Sequence, residues 1–309
     1  MSTEIIDVHG HVTPPELLKR FPMPPSLGDV DGMIERKAAL GIGLTIVGSP
    51  VGAGTMLPVP GLDNYAQTVE QIEGFHEWLA ETVRSHPGHL RGYVYHNPFA
   101  TDDSLARAQK RLAQDEFVGL IVNTSVRGRY LDAPEAEATF AMAAETGAPI
   151  LLHPPAEPVG AGAFGKNVGL VEHVCRPCDV TAGVAAILAA GWLVKYPGLK
   201  LIAPNAGGAL ALLPEKLDLA QQRAQTEGPR FSELLARIHV DTATPSGNAL
   251  SAAANVFTPE HLLFGTDSPP LATPLDRALD LLSDVDLTAE QLAGVRAGNA
   301  RALFGLGTR

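Results

Sequence analysis

Four residues of this chain have the types and the placement to hold a divalent ion: His9, His11, His153 and Asp267. The first two lie in Ile5-Ile6-Asp7-Val8-His9-Gly10-His11-Val12, an apolar run that reads as a buried strand. Side chains two positions apart point to one side of a strand, so the two imidazoles can share a metal. A bare His-x-His is equally compatible with strand-end histidines satisfied by hydrogen bonds. The later strand ends weigh toward the metal: Pro149-Ile150-Leu151-Leu152 ends at His153, and Leu262-Leu263-Phe264 leads through Gly265-Thr266 to Asp267. Three neutral imidazoles and one carboxylate suit zinc, and manganese or iron fits the same ligand types. Such an ion lowers the pKa of bound water to about 7, giving a nucleophile at neutral pH.

For these four to converge, the chain between them must repeat one unit, and it does. Short apolar runs at 5–8, 44–47, 90–95, 118–122, 149–152, 199–203, 237–240 and 262–264 predict strands. Helical patterns at 30–40, 64–85, 102–114, 134–146, 180–195, 211–224 and 288–304 alternate with them. Eight strands alternating with seven helical stretches predict an α/β protein, a (β/α)8 TIM barrel over 1–309 as a single domain, with the metal site at the C-terminal mouth of the strands. An open doubly wound sheet is the alternative, but no Gly-x-Gly-x-x-Gly turn follows any strand. Barrel chemistry gathers at the carboxyl ends of strands, which selects His9, His11, His96, Asn97, Asn123, His153, Asn205, Asp241 and Asp267. In this frame His96 is a residue that could touch substrate, and His239, inside the seventh strand, a satisfied barrel residue. The long stretch 154–178, rich in Gly and Pro, reads as a lid loop, with the next helix starting near Asp179.

Composition narrows the partners. With 309 residues, 45% hydrophobic and 18% charged, the chain can bury a large core. A formal net charge of −11 argues against nucleic acid or an anionic membrane and for a small-molecule substrate. No apolar run is long enough to span a membrane and no signal peptide is evident, so a cytoplasmic protein is expected. Cys175 and Cys178 form a lone Cys-x-x-Cys and read as reduced, structural thiols.

The chain resembles the amidohydrolase superfamily, and within it the branch typified by aminocarboxymuconate semialdehyde decarboxylase. The likeness is carried by Asp7-Val8-His9-Gly10-His11, Gly147 to Pro154, Tyr196 to Ile202 with Gly207-Gly208, Leu263 to Asp267, and Gly298 to Phe304. The resemblance implies one metal, usually zinc, held by His9, His11, His153 and Asp267, with the aspartate also carrying protons. It implies either hydrolysis of small carbonyl compounds or non-oxidative decarboxylation of small unsaturated or aromatic acids, often in a homodimer. Two departures matter. The histidine that the family has at the end of the sixth strand is replaced by Asn205, and the loop after the second strand, Ser49 to Gly54, lacks a substrate-binding arginine. Asn205 is therefore expected as an electrostatic stabiliser facing the metal pocket, or else as a residue turned into its own backbone turn. Arg127, Arg129, Lys166 or Arg176 are the cations that could replace the arginine. A metal-dependent hydrolase ranks first, a decarboxylase second, and a non-catalytic binding barrel third.

Overall fold

The computed structural model describes residues 4–165, 167–271 and 274–307. Eight parallel strands form one sheet in chain order: Ile5–His11, Ile42–Gly48, Leu90–Tyr95, Phe117–Asn123, Ile150–His153, Leu201–Ala203, His239–Asp241 and Leu262–Leu263. Val8 N–H donates to Phe264 O at 2.9 Å, just past the eighth strand, and so ties the last strand to the first. This is the expected TIM barrel. Its interior is filled by Ile6, Val8, Leu44, Ile46, Tyr93, Tyr95, Ile121, Leu151, Ile202 and Leu263, with Leu303 and Phe304 packed against them. The opposite faces, including Val47, Val94, Leu120, Val122 and Leu152, join the helices in a second apolar layer.

A bulge in the first strand decides where its histidines point. Ile6 and Val8 face the interior, so strict alternation would send His9 and His11 toward the helices. Asp7 pairs with Thr45 and Gly10 with Val47, so three steps of one strand pass two of the other. The extra residue reverses the alternation, and His9 and His11 return to the inside. Gly10 then faces the helix side, where a Cβ would come 2.8 Å from Thr45 Cγ2.

Several expected boundaries move for local reasons. The helix expected from residue 64 begins at Val69, because Thr68 and Gln71 form a reciprocal capping box. The stretch 154–178 is not a loop throughout. Asn167 accepts a hydrogen bond from Leu170 N–H and starts a helical run of Val168–Leu170, a wide π-turn at Val171–Cys175 and the helix Arg176–Ala189. That helix breaks at Gly191, with φ of 76°, before the short Trp192–Lys195 turn. The helix Gly247–Phe257 had no expected counterpart.

Candidate metal centre

His9, His11, His153 and Asp267 come together at the mouth of the barrel, all buried, with one ligand atom from each lying within 4.8 Å of the others. The three imidazoles stand nearly perpendicular to one another, with ring centroids 4.9–5.3 Å apart. Each has its Nδ1 fixed by an acceptor. His9 Nδ1 meets Asp241 Oδ2 at 2.6 Å, His11 Nδ1 meets Gly48 O at 3.2 Å, and His153 Nδ1 meets Pro154 O at 2.8 Å. Those acceptors favour the proton on Nδ1, which leaves each Nε2 free for a metal once the rings are neutral. His9 Nε2 is buried with no hydrogen-bond partner, as a nitrogen kept for a metal would be. Asp267 supplies Oδ1, 3.0 Å from His11 Nε2 and 3.4 Å from His9 Nε2. Its Oδ2 accepts no hydrogen bond among the described residues. The residue sits at φ of 52°, a strained backbone position for anything but glycine.

The electrostatics ask for a cation at the centre. Burial alone would strip His9 of charge, yet Asp267 and Asp241 outweigh it and push its pKa up to about 9. Burial likewise opposes ionisation of Asp267, but His9 and His11 hold its carboxyl far below the usual carboxylate range. His153 is driven the other way, well below the ordinary imidazole value, by burial and then by the charges of His11 and His9. The two carboxylates thus favour positive charge at the centre, which a divalent ion would supply. The residues present fit such an ion.

Two carboxylates support the group in roles that the sequence reading did not assign, although it selected Asp241 as a strand end. Asp241, at the end of the seventh strand, orients His9 through Oδ2 while Oδ1 accepts the backbone N–H groups of Asn205 and Ala243. The expected result for Asp241→Asn is a metal affinity about 10- to 100-fold weaker, measured by competition with a chromogenic chelator. An amide nitrogen facing Nδ1 would favour the tautomer whose Nε2 carries the proton. Asp7, fully buried, accepts from His9 N–H, from Thr266 N–H and Oγ–H, and from Lys37 Nζ at 2.7 Å. It therefore binds the first strand to the residue beside Asp267. Lys37→Met would leave that carboxylate buried without its cation, and a loss of about 3–5 kcal/mol is expected in denaturant unfolding.

Of the four residues grouped at the mouth, His11, His153 and Asp267 line a cavity of ≈ 220 Å³ whose walls are mostly apolar, among them Val12, Leu27, Val51, Met56, Leu57 and Leu271. Asn205 also lines it, with part of its amide committed: Nδ2 donates to Ala243 O at 3.0 Å. Its backbone is left-handed, at φ of 55°. Asn205 thus lines the cavity, and its side chain is tied to the segment after the seventh strand rather than to its own Gly207-Gly208 turn. Of the other strand-end residues, His96 does not line the cavity: its Nε2 pairs with Thr139 Oγ1 at 3.1 Å behind the barrel. Asn97 accepts Phe99 N–H, and Asn123 accepts the Tyr65 hydroxyl at 3.3 Å. His239 is not satisfied as expected, since its Nδ1 is buried without a partner and its ring packs against His261. Arg127 and Arg129 are more than half exposed and paired with Asp63 and Glu135, whereas Arg176 lines the cavity. Lys166 lies outside the described residues. Cys175 is buried, Cys178 exposed, and both are free thiols. Among the described residues no helix is long and apolar enough to cross a membrane.

A family model described as amidohydrolase matches residues 6–306. The chain is 25% identical over 316 residues to a 6-methylsalicylic acid decarboxylase of Penicillium expansum, covering 97% of this chain and 95% of that one. It is 22% identical over 238 residues to a 2-amino-3-carboxymuconate-6-semialdehyde decarboxylase of Dictyostelium discoideum, covering 74% of this chain and 64% of that one. Among solved structures it is similar to a dihydroxybenzoic acid decarboxylase from Polaromonas with bound manganese and the inhibitor 2-nitroresorcinol. That likeness has a TM-score of 0.81 and 20% identity, over 99% of this chain and 98% of the other.

Proposed function

The chain belongs to the amidohydrolase family, and on that premise we propose that it is a metal-dependent, non-oxidative decarboxylase of a small aromatic or unsaturated acid. The observation that carries this reading is the kinship, over nearly the whole chain, with an enzyme named as a decarboxylase. It favours the reaction that the sequence placed second over metal-dependent hydrolysis. The cavity agrees with it. Apolar walls strip water from a bound carboxylate and leave few groups able to activate a water molecule. Asn205 cannot accept a proton.

In this reading His9, His11, His153 and Asp267 hold one divalent ion, zinc or, as in the Polaromonas structure, manganese. When bound, the ion supplies positive charge that fixes the acid and withdraws electron density from it. Asp241 keeps His9 in register, and Asp7 keeps the first strand beside Thr266 and Asp267. Asp267 is the proton carrier through Oδ2. Protonated in turn from solvent, it delivers that proton to the carbon bearing the carboxylate; the carbon–carbon bond breaks, its electron pair replaces the pair spent on the new carbon–hydrogen bond, and CO2 leaves. One proton is consumed for each CO2 released. Asn205, with its remaining amide hydrogen, stabilises the oxygen on which charge collects. Asn205→Ala is expected to slow product formation about 10- to 100-fold at unchanged metal content, read by steady-state kinetics beside elemental analysis. Residues 1–309 act as one domain in this account, with 154–178 walling the mouth through Pro154, Glu172 and Arg176.

The reading is tested by measuring CO2 over a panel of hydroxybenzoic and unsaturated acids, set beside neutral esters, amides and lactones of similar size. CO2 from at least one acid is expected. Cleavage of the neutral compounds with no CO2 from any acid would return the protein to the hydrolases.

A further inference from the structure

Most polar side chains in the described lining of the cavity are already engaged. Ser49 Oγ donates to Gly52 O and accepts from Val51 N–H, Thr55 Oγ1 accepts from Leu57 N–H, and Glu172 is paired with Arg176. Asn205 and Asp267 serve the reaction itself. Thr13 is different. It stands two positions past His11, lines the same cavity and is only 3% exposed. Its backbone N–H donates to Leu27 O at 2.9 Å, yet its hydroxyl has no hydrogen-bond partner among the described residues. That oxygen is not sealed from water, as Arg176 Nε and His96 Nδ1 are. What little surface Thr13 keeps is surface at the cavity wall.

Water satisfies such a hydroxyl while the cavity is empty, and a bound substrate takes the place of that water. Resting on the decarboxylase reading, which places the substrate's carboxylate at the metal-binding group, we propose that Thr13 is a specificity-determining residue. Its hydroxyl hydrogen-bonds a hydroxyl on the substrate ring, and it favours that acid over one with a methyl group at the same position. The desolvation of Thr13 sets the selectivity. A methyl packed against the oxygen strands it away from water with no partner, whereas a ring hydroxyl of nearly the same size can donate to it or accept from it. The neighbouring walls, Val12, Met23 and Leu27 among them, have no side-chain donor that could substitute. Thr13 shares one small cavity with His11 and Asp267, which keeps its hydroxyl within reach of a ring whose carboxylate lies at the metal-binding group.

Calorimetric binding to the zinc-loaded protein tests this without turnover. The probes are the 2-, 3- and 4-hydroxybenzoates, each set beside the methylbenzoate substituted at the same position. At one position the hydroxy acid is expected to bind about tenfold tighter than the methyl acid. The 2-hydroxy acid can also reach the ion through its hydroxyl, so the comparison is made between proteins as well as between probes. Thr13→Val, nearly isosteric, should abolish the preference at unchanged metal content, and Thr13→Ala, which also lacks the hydroxyl, should do the same. Thr13→Ser should keep it. No hydroxyl preference at any position, a preference that survives Thr13→Val and Thr13→Ala, or a loss of affinity in those variants that is equal for hydroxy and methyl acids would each overturn the role of Thr13 alone. No binding by any of the acids would overturn it together with the reading on which it rests.

Discussion

The double variant His9→Ala, His11→Ala is expected to purify folded and without metal, where the wild type carries about one divalent ion per chain. The two side chains supply half of the ligand set, and their removal leaves His153 and Asp267, too few donors to hold a tetrahedral ion. Folding should survive. The barrel's interior and helix-facing layers are built from other residues, and Asp241, which loses its His9 Nδ1 partner, keeps the backbone N–H groups of Asn205 and Ala243. Elemental analysis reads the metal and circular dichroism the fold. Turnover should fall to background, a loss of at least about 10³-fold given what a metal site contributes to charge stabilisation. Equal metal in the two proteins would remove the site from where the geometry puts it.

Asp267→Asn is expected to have the second largest effect. The amide keeps an oxygen that can face the centre but cannot carry a proton, so metal content should drop only partly while turnover falls by about 10²- to 10⁴-fold. The proton's destination is separately measurable. In D2O the wild type should place one deuterium on the carbon that lost CO2, and mass spectrometry of the product reads it. An Asp267→Asn enzyme that keeps wild-type turnover would assign the proton to another group.

The site was legible because barrel strands announce their ends. A short apolar run that ends in a histidine, or passes through Gly-Thr to an aspartate, marks the mouth, and it picks out His9, His11, His153 and Asp267. Their orientation was not legible in the same way. The two-residue spacing of His9 and His11 gave a shared face, but Ile6 and Val8 alternate so as to put that face outside, and only the bulge between Asp7 and Gly10 corrects it. A bulge is settled by pairing with the second strand, which a single stretch of sequence does not contain. Asp241 was recognised as a strand end but given no task, because its partner His9 lies 232 positions away. Helix 247–257 was missed for a local reason: Gly-Asn-Ala-Leu-Ser-Ala-Ala-Ala has few apolar anchors, and its start rests on Ser246 accepting from Ala249 N–H. The same holds for Asn167, whose cap converts part of the supposed lid into the helical run that carries Glu172 and Arg176.

Metal and decarboxylation are joined in one claim, and one titration tests the join. The protein is stripped with a chelator, then reloaded stepwise with zinc or manganese while CO2 release from a substrate acid and bound metal are measured on the same samples. The account predicts no CO2 from the stripped protein and a rate that rises in proportion to occupancy, reaching its plateau at one ion per chain. CO2 release that is unchanged by stripping, or that stays absent at full occupancy while neutral carbonyl compounds are hydrolysed, would contradict it.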